Sequence, residues 1–292
     1  MTVSPISDGL VLNLDASKLN LDDGDSVTSW LDQSGNSNNA DDGPGATYKS
    51  SAFNGMGAVE FDGVDDYLQI PDSDVNLRFL RGSSSWTCFY VLRYTGDAGA
   101  QMVLAASHST DYDNPFSAFL RDSGEWVDRF GDRAVDEETT MLAQGEQSII
   151  TSRWVRGEKL EHYLNGSIEG DYSQSDEPDE QDLEAEVSVG RSTAGVDLPF
   201  EGEIAEILVY DRALDDGERS KLESYLHAKW FDQDLDPYFE EVLKDKPIHY
   251  WRLNETSSDT VKDEIGDSDG SVEGDVELDV DGRINSAEDA AP

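Results

Sequence analysis

The sequence has little that could cross-link the chain, export it or carry redox chemistry. Its 292 residues include one cysteine, Cys88, set in the strand-like run TCFYVLRY. No internal disulfide can form, and the residue reads as a small buried apolar side chain. The N-terminus MTVSPISDG has no basic segment, no apolar segment and no twin arginine, so the expectation is a chain without a secretion signal. No stretch is apolar enough to span a bilayer. Basic residues are scarce, 21 Lys and Arg against 64 Asp and Glu, for a formal net charge of −43. Nucleic acid and anionic membrane would repel such a surface and are excluded as partners. There is no Walker loop, no G-x-S-x-G elbow, no H-E-x-x-H and no C-x-x-C. The four histidines, His108, His162, His227 and His249, are scattered among turn and strand-edge residues and read as surface groups. The expectation is a protein without enzymatic activity.

What is present supports a folded, predominantly β chain. At 37% hydrophobic residues the sequence can bury a core, and its length holds one large sandwich plus something smaller. The acidic excess runs from end to end rather than gathering in a tail. Like charges repel unless screened, and a Debye length of roughly 3 Å at 1 M salt would screen them. The composition therefore points to a haloarchaeal or other halophile-associated origin, the alternative being an acidic mesophilic protein that uses calcium for neutralisation.

The most informative stretch is residues 200–230, FEGEIAEILVYDRALDDGERSKLESYLHAKW. Strict alternation puts Ala205, Ile207 and Val209 on one face and Ile204, Leu208 and Tyr210 on the other. Apolar residues on both faces suit a strand covered on both sides. A helix follows, with Asp215 as its cap and Glu218 completing a capping box. Leu222, Tyr225, Leu226 and Trp230 give that helix one apolar stripe. Elsewhere, residues 85–94 are rich in aromatic and branched side chains, as strands are. Asn165-Gly166 is a two-residue hairpin signal. Residues 59–62 and 67–70 are expected to pair as a hairpin across 63–66, anchored by Phe61 and Leu68.

Four ordered pieces carry a family resemblance: GLVLNLDAS with W-L-D-Q-S-G in residues 9–40, VEFDGVDDYLQIP in 59–71, HYLNG with VSVGRS in 162–192, and the closing 200–230 segment. Together they resemble a laminin-G-like domain. The resemblance implies an all-β, concanavalin A-like jelly-roll sandwich of two antiparallel sheets, with short C-terminal helices. Residues 249–272, HYWRLNETSSDTVKDEIGDSDGSV, resemble the opening of another such domain and echo residues 11–40. The expected organisation is a laminin-G-like jelly roll over 1–231, a helical linker over 232–247 and a partial second β segment over 248–292. Strands without their partners have open edges, so 248–292 are expected to meet neighbouring subunits or other virion proteins in a homo-oligomer, the alternative being that they pack on the first domain as an appendage.

Sandwiches of this family often hold one structural calcium, and a hard cation takes oxygen ligands. Asp62, Asp65 and Asp66 in the F-D-G-V-D-D turn, with Glu206 and Asp211 flanking the last strand, are the candidate Ca2+ ligands. Buried carboxylates at 62 and 206 would otherwise need basic partners or backbone donors. Sugar sites in such domains pair exposed aromatics with carboxylates and amides. Tyr112 and Trp126, beside turns, are the candidate stacking residues, with Asp113, Asn114 and Asp128 as polar partners; Trp86 and Trp154 are expected in the core. No strand has the E-x-D-x-x-E spacing of the glycosidases of the jelly-roll class. The expected role is structural or adhesive: a virion surface component, spike, turret or tail fibre of a haloarchaeal tailed virus, binding a host surface glycan or glycoprotein. The alternatives are a glycan-processing enzyme and an extracellular lectin or adhesin of a halophilic cell.

Overall fold

The computed structural model describes residues 5–41, 43, 45–71, 73–81, 84–96, 99–106, 116–121, 124–130, 133–135, 140–173, 187–191, 198–231, 248–251, 260–261, 263 and 268–274. The chain divides into two compact units, the larger running from Ser4 to Leu235. No described helix is long and apolar enough to cross a membrane.

The larger unit is an all-β sandwich of two antiparallel sheets. The first sheet holds β1 (Leu10–Asp15), β4 (Thr47–Phe53), β5 (Met56–Asp62), β7 (Trp86–Tyr94), β12 (Ser148–Val155), β13 (Lys159–Leu164), β14 (Ser167–Ser173) and β16 (Glu201–Tyr210). The second holds β2 (Ser29–Trp30), β3 (Ala40–Asp41), β6 (Leu68–Ile70), β8 (Gln101–Ala106), β9 (Phe116–Leu120), β10 (Trp126–Phe130), β11 (Arg133–Val135) and β15 (Val187–Val189). In the first sheet the order is β14-β13-β12-β7-β16-β5-β4, with β1 also against β16; in the second it is β11-β10-β9-β8-β15-β6-β3-β2.

Strand β16 is the axis of the first sheet and has apolar residues on both faces, as expected. Ile204, Ile207 and Val209 enter the core between the sheets, where they join Trp86, Cys88, Tyr90, Trp154 and Phe116. Ala205, Leu208 and Tyr210 face the other way, onto the helix Asp216–Trp230. The assignments of both Ile204 and Ala205 by strict alternation are therefore corrected. The ladder to β7 shifts register between Ile204 and Glu206, and a bulge at that point turns both Ala205 and Glu206 outward. At the same place β16 changes neighbour, from β5 through Ile204 to β1 from Glu206.

The helix starts as its sequence dictates. Asp215 accepts the Glu218 N–H, and the Glu218 side chain accepts the Asp215 N–H. Leu222, Leu226 and Trp230 are buried against Phe53, Phe89 and Leu208, with Tyr225 packed alongside. The Asn165-Gly166 turn between β13 and β14 has both residues at positive φ, 50° and 84°. A two-residue hairpin turn with positive φ at both positions matches the twist of its strands. The expected 59–70 hairpin is corrected: β5 pairs β4 and β16 in one sheet, whereas β6 pairs β15 and β3 in the other. The F-D-G-V-D-D turn thus carries the chain across the sandwich, with Phe61 and Leu68 entering the core from opposite sheets.

In the smaller unit, strand β17 (Thr260–Val261) pairs β18 (Gly270–Ser271). Two residues after β17, Asp263 accepts the Tyr250 N–H at 2.8 Å and forms a bridge with Trp251. The larger unit has the same arrangement at its start. There β2 pairs β3, and two residues after β2 Asp32 accepts the Asn13 N–H at 2.9 Å and forms a bridge with Leu14.

Candidate functional site

The expected sugar-binding residues fall into two groups. Tyr112, Asp113 and Asn114 lie outside the described residues. Trp126 and Asp128 are placed, and neither is a surface group. Trp126 is 2% exposed and packs against Tyr90 at 4.9 Å between ring centroids. Asp128 is fully buried, and its Oδ2 accepts from Trp126 Nε1 (3.1 Å), Ser152 Oγ (2.5 Å) and His162 Nε2 (2.8 Å). The expectation of an exposed aromatic with a carboxylate beside it is corrected: the inward phase of β10 places both in the core. His162, expected at the surface, is also buried, edge-on to Tyr172.

This cluster spans the sandwich, with Trp126 and Asp128 on the second sheet and Ser152 and His162 on the first. It contains serine, histidine and aspartate, but the hydroxyl and the imidazole both converge on one carboxylate oxygen. A serine nucleophile needs histidine to take its proton. Here Ser152 gives its hydrogen bond to Asp128, and none of the groups reaches solvent. The arrangement ties the two sheets together. Asp128 Oδ1 and His162 Nδ1 have no partner among the described groups.

Of the candidate calcium ligands, Asp62, Asp65 and Asp66 come together, with one oxygen from each within 4.8 Å of the others. Asp66 is buried and accepts the Asp62 N–H at 2.8 Å. It also lies so close to Gly45 that a Cβ there would sit 1.6 Å from its Oδ1. Burial, with Asp62 and Asp65 nearby, raises its pKa. Asp62 is exposed and accepts the Val64 N–H at 2.8 Å. Backbone donors thus satisfy the turn in part, and the remaining oxygens suit a hard cation.

Glu206 and Asp211 do not join that group. Asp211 is exposed, with its N–H bonded to Gly9. Glu206 is buried under the helix, and its Oε2 accepts from Lys229 Nζ (2.7 Å) and Trp230 Nε1 (2.6 Å). Lys229 also pairs with Asp15 at 2.7 Å. The basic partner a buried carboxylate requires is thus supplied by the helix. Burial pushes the Glu206 carboxyl up to about 7, opposed by Lys229 and reinforced by Asp15.

A matching network pins the other end of the helix. Arg153 bonds Glu161 (2.6 Å), Asp216 (2.7 Å) and the Leu214 carbonyl (2.9 Å). Arg219 lies 3.8 Å over the Tyr163 ring and pairs with Glu223, which accepts from Thr151 Oγ1 at 2.7 Å. Burial raises Glu223 to about 7 as well. Sequence reasoning missed these residues. The one legible signal was the apolar neighbourhood of Glu206, which demanded a partner without naming it.

No protein-family model and no curated protein sequence matches the chain. Solved structures share its fold. Trypanosoma rangeli sialidase superposes with a TM-score of 0.54 at 15% identity, covering 77% of this chain and 34% of the sialidase. The binding domain of Paraclostridial Mosquitocidal Protein 1 does so with a TM-score of 0.54 at 16% identity, covering 75% of this chain and 52% of that one. The chain thus spans about a third of the sialidase and about half of the toxin domain. At such identities the likeness is one of fold.

Proposed function

We propose that this protein is a non-enzymatic carbohydrate-binding sandwich acting in adhesion. The observation that carries the reading is where the acid–base groups are used. The described residues most suited to catalysis, Asp128, His162 and Ser152 in the core and Glu206 and Glu223 under the helix, are sealed and committed to holding layers together. The fold likeness to a toxin binding domain and to a sialidase, an enzyme acting on sugars, supports recognition of glycans. Catalytic power needs groups that meet a substrate in the transition state. The test is the full chain on a glycan array in about 2 M KCl, beside a hydrolysis assay on the same sugars. Binding without product release is the expected outcome; hydrolysis abolished by a single carboxylate substitution would favour the enzyme.

The finer parts of the proposal rest on composition and on the C-terminal segment. The acidic surface fits a halophile, and a melting midpoint no higher at about 2 M KCl than in dilute buffer would remove that part. Display on a virion surface by a homo-oligomer would let a weak sugar site act by avidity. Structural calcium would be held by Asp62, Asp65 and Asp66, with a higher melting midpoint in Ca2+ than in chelator.

A further inference from the structure

The six tryptophans of the chain are divided sharply by exposure. Trp30, Trp86, Trp126, Trp154 and Trp230 are at most 2% exposed, whereas Trp251 in the smaller unit is 42% exposed. Its ring is nonetheless held from two directions. The indole N–H donates to the Ser268 carbonyl at 2.8 Å. The His249 imidazole stacks on the ring, with centroids 5.5 Å apart and planes 16° from parallel. His249 is fixed in turn by Asp263, whose Oδ2 lies 2.5 Å from Nδ1 and which is itself fully buried. Ser268 and Asp269 are exposed beside it.

We infer that Trp251 is a stacking platform for a neutral pyranose, a sugar site in the smaller unit. This rests on the carbohydrate-binding reading and gives it a location. A pyranose presents a face of C–H groups that packs on an aromatic ring, and a ring already held still loses little freedom on binding. His249 and Ser268 supply that restraint, leaving the exposed part of the indole for the ligand. The chemistry next to the ring is carboxylate, with Asp263 bridged to Trp251 and Asp269 accepting the Asp263 N–H. Such a field selects against sialylated and sulfated sugars and in favour of uncharged ones. A competing use of the ring is as a protein contact, because Leu14 at the corresponding place in the larger unit is core. The His249–Asp263 pair favours the sugar. His249 stands where Leu12 stands in the larger unit, while Asp263 matches Asp32, and a polar imidazole in place of a buried leucine suits a solvated site better than an apolar interface.

The experiment titrates the full chain with maltohexaose, cellohexaose and N-acetyllactosamine, with sialyllactose as the anionic control, reading tryptophan fluorescence and calorimetric affinity. At least one neutral sugar should bind more tightly than sialyllactose and perturb the fluorescence. Trp251→Ala should weaken that binding by about tenfold or more, while Trp251→Tyr, which keeps an aromatic face, should stay within about threefold. The tyrosine variant separates loss of the ring from loss of the fold. Undiminished binding by Trp251→Ala would overturn the site and leave the carbohydrate reading standing. Failure of the unaltered chain to bind any sugar on the array or in the titration would overturn both. A Trp251→Ala variant that loses oligomeric mass and keeps its sugar affinity would assign the ring to a protein contact instead.

Discussion

The two units contain the same turn put to different ends. In the larger, Asp32 holds the opening strand, Leu14 beside it is fully buried, and β16 lies alongside from Glu206 to Tyr210. In the smaller, Asp263 holds the opening residues in the same way, yet Trp251, in the place of Leu14, is 42% exposed. The aspartate hydrogen bonds are thus a local device that works in both settings. Burial of the strand is not local, because it requires a second layer from elsewhere in the sequence. The turn fixes a strand's position, and the layers decide whether its side chains become core or surface.

The largest effect that would test this contrast comes from truncating the paired positions. Leu14→Ala should cost the larger unit about 2–5 kcal/mol in urea unfolding, the usual range for a buried leucine. Trp251→Ala should leave that transition in place, and equal costs at the two positions would break the comparison. Next, Asp32→Ala strips acceptors from Asn13, Ser34 and Asn38 N–H groups and should destabilise by about 2 kcal/mol. Asp263→Ala should instead free His249 and change the fluorescence of Trp251 while the larger unit melts as before.

A smaller effect concerns pH. With its folded pKa raised to about 7 from an ordinary 4.5, Glu206 keeps a proton in the folded state that the unfolded chain has lost. Its contribution is therefore present below about pH 4.5 and is lost as pH rises to about 7. The fall in melting midpoint between pH 5 and pH 8 should be smaller in Glu206→Gln than in the parent, and an equal fall would refute the assignment. Smallest of all, Asp65→Asn in chelator should change stability by less than about 0.5 kcal/mol, since Asp65 is exposed.

Much of the fold was legible because its signals are local. The capping box at Asp215 and Glu218, the Asn165-Gly166 turn and the doubly apolar β16 each follow from residues a few positions apart. The candidate site was less legible. Trp126 and Asp128 sit beside a turn in sequence, but whether they face out depends on the phase of β10 and on a second sheet carrying Ser152 and His162. The Glu206 partner, Lys229, lies on a helix 23 residues away, beyond the reach of any local pattern. Trp251 was read as part of an opening strand, and its exposure shows only when the layers around it are known.

The bulge in β16 leaves the central strand with a spare residue. Because Ala205 and Glu206 both point toward the helix, removing Ala205 would keep Ile204 and Glu206 onward on their present faces. A ten-residue strand at the middle of a sheet is usually the last place to tolerate a change of length. Here a shortened relative would lose only the contacts of Ala205 and could keep the rest of the core and the Glu206–Lys229 pair, so kinship to this protein is better sought by tolerating a one-residue gap at this point than by counting alternation through it.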